Sequence, residues 1–566
     1  MVVVQSEQKL RGGYYTPPLV SDFLARWGID APGTTVLEPS CGDGNISVAA
    51  ANRLIGLGVP PKDVAAALVS VELDPDEAAK AATRLRALGV GIGESPVVTS
   101  DFFTYCRELL LTGRRFDVAI GNPPFIRYQH FDERYRQAAF QLMRGVGLAP
   151  TRLTNIWMPF VVATTLLLNE RGKLAMVIPA ELLQVGYAAQ LRKFLTDHYA
   201  SITIVTFQKL LFDDAQQEVV LLLASKRATG RGGIDVVELD DDHQLASYDF
   251  RRHDLLDLKS VEHTTEKWTQ YYLAESEIRL LRRLSHDTSI GKFGDVASVD
   301  VGLVTGKNAF FVLDWQTLHD RELDRFAIPI VGRTVQLPGL VYGAADLARD
   351  RETNARCALF LPADLPLDDQ PLAVRNYLAQ GTAEQVHEGY KCRIRKSWFI
   401  VPSIWTPDAF LFRQINRYPK LVLNGTAATS TDTIHRVRFK DPRQLRPTVA
   451  AFHNSMTFAF SEVLGRSYGG GVLELEPNEA DTLPLPPLDA GPLDLGEIDC
   501  LARTGQIERI LELTDAAYLR RGLGLSAGEV DGLRGIWTKL SMRRINRKFK
   551  RRAKGPVEGR LVDGVV

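Results

Sequence analysis

The sequence predicts an α/β domain built on a mostly parallel, doubly wound sheet, followed by a mixed α+β domain. Three observations carry this. Over the first 225 residues, short runs of Val, Leu, Ile and Ala alternate with helical stretches, the pattern of strands joined by crossover helices. Several runs stop at a glycine loop, a carboxylate or an asparagine, residue types suited to the carboxyl edge of such a sheet, where ligands bind. Beyond residue 230 the alternation gives way to short apolar segments, turns and basic-aromatic groups.

Taken in order, Val36-Leu37 leads into Glu38-Pro39-Ser40-Cys41-Gly42-Asp43-Gly44-Asn45 and then Ile46-Ser47-Val48-Ala49-Ala50, which reads as strand, glycine loop, helix. Glycines there let backbone approach a ligand, and the helix start presents free N–H groups. The next run, Ala66 to Val71, ends in Glu72, a carboxylate placed to accept both hydroxyls of a ribose. A third, Val97-Val98-Thr99-Ser100, ends in Asp101-Phe102, which offers an acceptor for an adenine amino group and an apolar wall for its ring. Each feature alone has a plainer reading: an acid after a strand is commonly a cap or turn residue, and a lone Gly-x-Gly is a weak signal.

The fourth run, Phe116 to Gly121, ends in Asn122-Pro123-Pro124-Phe125. Two prolines cannot continue the strand, so the Asn side chain and the carbonyl after it are held at the sheet edge. That suits a particular chemistry. The lone pair of an aromatic amine such as adenine N6 is delocalised into its ring. Two acceptors, the Asn122 amide oxygen and the Pro123 carbonyl, can bond both amino hydrogens and favour the pyramidal nitrogen of a transition state. Phe125 supplies a stacking face. By itself the tetrapeptide also suits a turn that ends a strand. A dinucleotide-binding dehydrogenase could share the first two strand ends, but the four together point to methyl transfer from a nucleoside cofactor.

Composition sets the bounds. A chain of 566 residues, 45% hydrophobic, is expected to hold roughly two to four domains. Its five cysteines show no C-x-x-C spacing, so neither a metal site nor a disulfide framework is indicated and a reducing cytoplasm fits. The start, Met1-Val2-Val3-Val4-Gln5-Ser6-Glu7, lacks a basic segment and a long apolar run, so no leader is expected there. Residues 153–169 are uncharged but contain Asn155 and Pro159 and fall short of a bilayer span. Net charge is zero, from 68 basic and 68 acidic residues, which on average argues against a nucleic-acid partner. Distribution matters more. Arg127 to Arg152 interleaves five arginines with aromatics, and Lys539 to Lys554 is densely basic, either a solvated tail or a phosphate contact.

With these motifs in this order, the chain resembles the gamma class of DNA adenine-N6 methyltransferases of bacterial Type II restriction-modification systems. Tyr14-Tyr15-Thr16-Pro17-Pro18 resembles that class's N-terminal cofactor motif. The resemblance implies a Rossmann-like class I methyltransferase domain that binds S-adenosyl-L-methionine through Tyr15, Thr16, Glu38, Ser40, Gly42, Asp43, Glu72, Asp101, Phe102 and Asn122, with no metal. It implies an adenine flipped out of the duplex, as reaction at a paired N6 requires, and held by Asn122 and Pro123 between Phe125 and a second aromatic. Phe212, in Lys209-Leu210-Leu211-Phe212-Asp213-Asp214-Ala215 before the strand at 218–224, is the counterpart by order, though it also reads as a core Phe at a hairpin. Two departures stand out. Phe125 replaces the Tyr of many relatives, and the loop reads Cys41-Gly42-Asp43-Gly44. The partners implied are double-stranded DNA with a short, palindromic site and a separate cognate restriction endonuclease, with the enzyme acting as a monomer in the cytoplasm.

The expected divisions are 1–228 for catalysis, 229–500 for target recognition and 501–566 for a helical segment with a basic tail. Arg227 to Gly233 reads as the linker. Within the second part, Val301 to Phe311, Tyr390 to Phe399 and Arg466 to Pro477 combine basic, aromatic and glycine residues able to contact guanine edges or phosphates. Other readings stay open: a methyltransferase acting on RNA or on a protein glutamine amide, and a recognition subunit that has lost catalysis.

Overall fold

The computed structural model describes residues 15–126, 132–208, 218–227, 232–248, 259–261, 266–468, 471–489 and 493–552. They fall into two compact units, one reaching Glu275 and the other running from Ser276 to Lys548.

The first unit is built on an eight-stranded sheet: β1 (Val36–Glu38), β2 (Leu68–Glu72), β3 (Val97–Thr99), β4 (Phe116–Gly121), β5 (Leu168–Pro179), β6 (Ser201–Phe207), β7 (Val219–Ser225) and β8 (Gly233–Leu239). Their spatial order is β3-β2-β1-β4-β5-β7-β6-β8. β1 to β5 are parallel, β7 is antiparallel to β5 and β6, and β8 is parallel to β6. The order reverses at β1, which lies between β2 and β4. The loops leaving β1, β2, β3 and β4 therefore share one edge, at the switch point where a crevice opens. This is the Rossmann-like sheet that the sequence led us to expect.

Five helices matter for that edge: α1 (Pro18–Gly28), α2 (Asn45–Gly56), α3 (Pro75–Ala87), α4 (Phe102–Leu111) and α5 (Trp157–Leu167). α1 starts on a proline, which suits a first turn, and buries Val20, Phe23 and Leu24 in a core shared with α2 and with Val36, Val118 and Ile120 of the sheet. It lies directly on β4, since a Cβ at Gly28 would stand 2.7 Å from the Val118 side chain. α3 starts where Asp74 caps the N–H groups of Asp76 and Glu77 ahead of Pro75. α5 is apolar around its whole girth and almost wholly buried, as such helices are. It meets α4 through Phe102, Phe103 and Phe160.

The first unit runs past the expected boundary at 228. β8 pairs with β6 in register from Ser201↔Gly233 to Phe207↔Leu239, so the glycine-rich segment feeds an eighth strand of the same sheet. Asp235 and Glu238 give β8 a polar look in sequence, but Asp235 is buried and faces the Lys259 ammonium at 3.6 Å, and the Lys259 backbone bridges Ile234.

The second unit is mixed α+β. Its five-stranded sheet takes Ala297–Asp300, Ile434–Phe439, Ala409–Phe412, Leu421–Asn424 and Val341–Tyr342 in that order. Residues 501–548 of the expected separate C-terminal segment fall in this unit, as does the helix Leu495–Arg503 that leads into it. Asp499, on the helix Leu495–Arg503, accepts the N–H groups of Leu340 and Val341 at 2.6 and 2.9 Å, and Asp515 accepts the Ser455 N–H at 2.8 Å. No helix among the described residues is long and apolar enough to cross a membrane.

Candidate active site

The loop after β1 is held from both sides. Cys41 N–H donates to the Val71 carbonyl at 2.9 Å, and Gly42 N–H donates to Glu72 Oε2 at 2.8 Å. Glu72 Oε1 accepts from Asp74 N–H at 2.9 Å, so the carboxylate at the tip of β2 ties the glycine loop to the start of α3. Gly42 and Gly44 have φ of +52° and +91°, in the left-handed region that favours glycine. At Gly44 there is also no room: a Cβ would lie 2.9 Å from Ala81. At Gly42 a Cβ would enter open space, with no atom within 4 Å.

Glu38 lies beneath this loop rather than on its surface. It is 1% exposed, takes the Ser47 hydroxyl on Oε2, and Ser47 in turn lies 2.7 Å from the Ser70 hydroxyl. Burial pushes its carboxyl up to about 8, so it stays protonated at neutral pH. In the unfolded chain it would ionise near 4.5, so between those values the folded state holds the extra proton. The stability this gives is fully present below pH 4.5 and is lost as pH rises through about 8, at up to about 1.4 kcal/mol per pH unit. Glu38→Gln is expected to flatten that slope. Tm measured for both proteins between pH 5 and 8.5 checks it, and parallel pH profiles would refute it.

Asn122 sits where β4 leaves the sheet. A Cβ at Gly121 would come 3.0 Å from Pro39, so the loops after β1 and β4 touch. Ser40 Oγ donates to the Asn122 carbonyl at 3.3 Å, and Asn122 Nδ2 donates to Thr16 Oγ1 at 3.2 Å. Thr16 is fixed in turn by Asn45 Nδ2, which donates to its carbonyl at 3.2 Å. Arg84 of α3 closes the chain, donating to Asn45 Oδ1 at 2.8 Å, to Asp43 Oδ2 at 2.7 Å and to the Asp43 carbonyl at 3.0 Å. Arginine has only donors, so the Asn45 oxygen must face it and the Asn45 nitrogen must face Thr16.

Of the residues singled out from the sequence, Thr16, Ser40, Gly42, Glu72 and Asn122 come together at this edge through the bonds just given. Asp101 Oδ2 caps α4 by accepting the N–H and hydroxyl of Thr104, both at 2.8 Å, and burial raises its carboxyl above the ordinary range. Asp43 turns its carboxylate to Arg84. Phe102 is buried with its ring stacked on Phe160, 5.2 Å between centroids, so it serves the packing of α4 and α5 more than a ligand wall. Tyr15 is 45% exposed and donates to Glu77. Phe125 is half-buried against the α1 and α2 core, and Phe212 lies outside the described residues. Arg84 was not among the sequence candidates.

Two family models match the chain. Residues 92–212, from just before β3 to just past β6 and including the Asn-Pro-Pro-Phe segment, match the Eco57I restriction-modification methylase. Residues 265–519 match the C-terminal domain of the Type II methyltransferase M.Eco57I. The chain belongs to the Type II restriction-modification methyltransferases. Its motif order, with the cofactor loop ahead of Asn-Pro-Pro-Phe and the matched C-terminal domain only after both, is that of the gamma class. Among its relatives, Type II methyltransferase M.XamI of Xanthomonas campestris pv. amaranthicola is 24% identical over 492 residues, 84% of this chain and 85% of that one. Type II methyltransferase M.AccI of Acinetobacter calcoaceticus is 19% identical over 399 residues, 67% and 70% of the two chains. The solved structure of the Type IIL restriction-modification enzyme MmeI in complex with DNA aligns over 97% of this methyltransferase and 75% of that chain, with a TM-score of 0.57. At 11% identity that is a likeness of fold.

Proposed function

We propose that this methyltransferase transfers a methyl group from S-adenosyl-L-methionine to N6 of an adenine flipped out of double-stranded DNA, at one short site. The modification would protect host DNA from a separate endonuclease that cuts the same site. The observation that carries this reading is the placement of Asn122 at the end of β4 beside the glycine loop, with its carbonyl bonded by Ser40 and its amide nitrogen turned to Thr16, the orientation in which the amide oxygen and the Pro123 carbonyl would serve as the two acceptors of an amino group. The cofactor fits the residues present. The open space at Gly42 is what a close-approaching ligand needs, and each Glu72 oxygen that accepts one N–H retains a lone pair for a ribose hydroxyl. When bound, S-adenosyl-L-methionine supplies an electrophilic methyl group on a sulfonium.

The chain's own residues orient the acceptor base. Bonding both N6 hydrogens draws the nitrogen out of conjugation, and Phe125 gives the adenine ring one stacking face, the family resemblance implying Phe212 for the other. Neither clamp acceptor is a strong base, so both hydrogens stay on nitrogen until it becomes cationic, when one passes to water. The enzyme is read as a cytoplasmic monomer that treats the two strands of a palindrome in turn.

Single-molecule sequencing of DNA from a methylation-free bacterial host expressing the chain tests this. N6-methyladenine at one motif is the expected result. Modified cytosine, or unmodified DNA with soluble protein that binds S-adenosyl-L-methionine, would overturn the base or the substrate assignment respectively. The Thr16 bond makes a finer prediction. Thr16→Val removes the acceptor that orients the Asn122 amide and should lower kcat roughly tenfold, about the worth of one hydrogen bond. Thr16→Ser should restore most of it. Equal losses in both variants would mean that the hydroxyl does not orient Asn122.

A further inference from the structure

Two of the basic-aromatic groups seen in the sequence, far apart in the chain, meet on the surface of the second unit. Arg395 donates to the Val304 carbonyl at 2.8 Å, and Cys392 Sγ lies 3.9 Å from the Thr305 carbonyl. The approach is close enough to require glycine. Gly306 has a φ of +90°, and a Cβ there would stand 2.9 Å from Cys392 Sγ and 3.2 Å from Lys391 Cβ. The stretch from Tyr390 to Phe399 holds four cations and no acid, and Val301 to Phe311 adds Lys307 with no acid. Lys307, Lys391, Arg393 and Lys396 are all exposed, and among the described residues none of them is in an ion pair. Several other cations of this unit are spent on partners, as Arg349 and Arg503 are on Asp346 and Arg413 is on Glu476. Between these charges stand Tyr390, whose ring lies 5.8 Å from the Lys391 ammonium, and Ile394, 64% and 60% exposed.

We infer that the surface made by the 304–307 loop and the 390–396 segment is a contact for duplex DNA, with Lys307, Lys391, Arg393 and Lys396 on backbone phosphates and Tyr390 and Ile394 toward the groove. The inference rests on the DNA reading of the function and names the residues that would serve it. Charge selects the partner. Unpaired cations around two apolar side chains suit a dense polyanion whose groove also offers apolar base edges, whereas a protein partner would be expected to need a broader apolar centre.

The test uses the full chain and fluorescence anisotropy with two labelled duplexes, one carrying the methylated motif and one unrelated, over a KCl series. For the variant carrying Lys391→Ala, Arg393→Ala and Lys396→Ala, affinity for both duplexes should fall at least tenfold near 0.15 M salt. The slope of log K against log salt should become shallower by roughly two to three, at about 0.9 for each phosphate no longer neutralised. S-adenosyl-L-methionine affinity and Tm should be unchanged. Lys307→Gln, on the other segment, should cost about one unit of slope, which covers the case in which the triple variant folds poorly. Wild-type affinity and slope in both variants would overturn the surface while leaving the function standing. A wild-type chain that binds neither duplex and leaves DNA unmodified would overturn the function itself.

Discussion

Asn122→Ala is expected to lower methyl transfer about 10²–10⁴-fold, through kcat, while S-adenosyl-L-methionine still binds. Removing one preorganised group aimed at the reacting atom typically costs about 10²–10³. Here the lost oxygen also positions the amino group, so the effect should sit toward the upper part of the range. Loss of kcat with substrate KM little changed marks an interaction made in the transition state, whereas a rise in KM alone would mark ordinary binding. The truncation leaves the Thr16 hydroxyl without the Asn122 donor, a stability cost of about 1 kcal/mol, which folded protein can bear. Asn122→Gln retains the amide but moves it by about one bond, and a displacement of about 1 Å can itself cost 10²-fold. Alanine and glutamine variants that both transfer methyl at the wild-type rate would remove the clamp from the mechanism.

What the sequence revealed and what it hid follow a simple division. Strand ends were legible because a short apolar run stops at a residue type that chemistry can interpret: Glu72 after β2, Asp101 after β3 and Asn122 after β4. The family comparisons support the class of enzyme that this order suggested. Depth was not legible. Glu38 and Glu72 are both carboxylates at the ends of parallel strands, yet Glu38 is sealed under the loop by Ser47 while Glu72 holds the loop from its flank. Phe102 was apolar in sequence either way, and only Phe160, brought in by α5, decides that its ring is largely taken up by packing. Arg84 left no local signal at all. Its partners Asp43 and Asn45 lie 41 and 39 residues earlier, and nothing separates it in sequence from Arg86, whose side chain stays on its own helix. The strand β8 was missed because its charges fit an edge as well as a linker.

The basic run near the C-terminus holds the second large effect. Read as a string it is a tail or a phosphate contact, but the helix Ala527–Arg552 buries Leu533, Ile536, Trp537, Leu540 and Arg544 along one stripe of i, i+3, i+4 and i+7 spacing. Arg544 ends that stripe as an interior residue. Its guanidinium pairs with Glu462 at 2.5 and 3.1 Å and donates to the carbonyls of Asn416 and Gly471 at 2.7 and 2.6 Å, and both charged side chains are 3% exposed. Removing one member strands the other charge away from water, so Arg544→Ala or Glu462→Ala is expected to destabilise the second unit by about 3–5 kcal/mol. The double variant Glu462→Leu with Arg544→Met should recover much of that loss, because no buried charge is left unpaired, with the Asn416 and Gly471 carbonyls setting what is not recovered. Urea unfolding of the four proteins measures this directly. Single variants that unfold at the wild-type urea concentration would mean that the pair is solvated. A double variant as unstable as the sum of the singles would mean that the carbonyl bonds of Arg544, and not its ion pair, hold this helix to the unit.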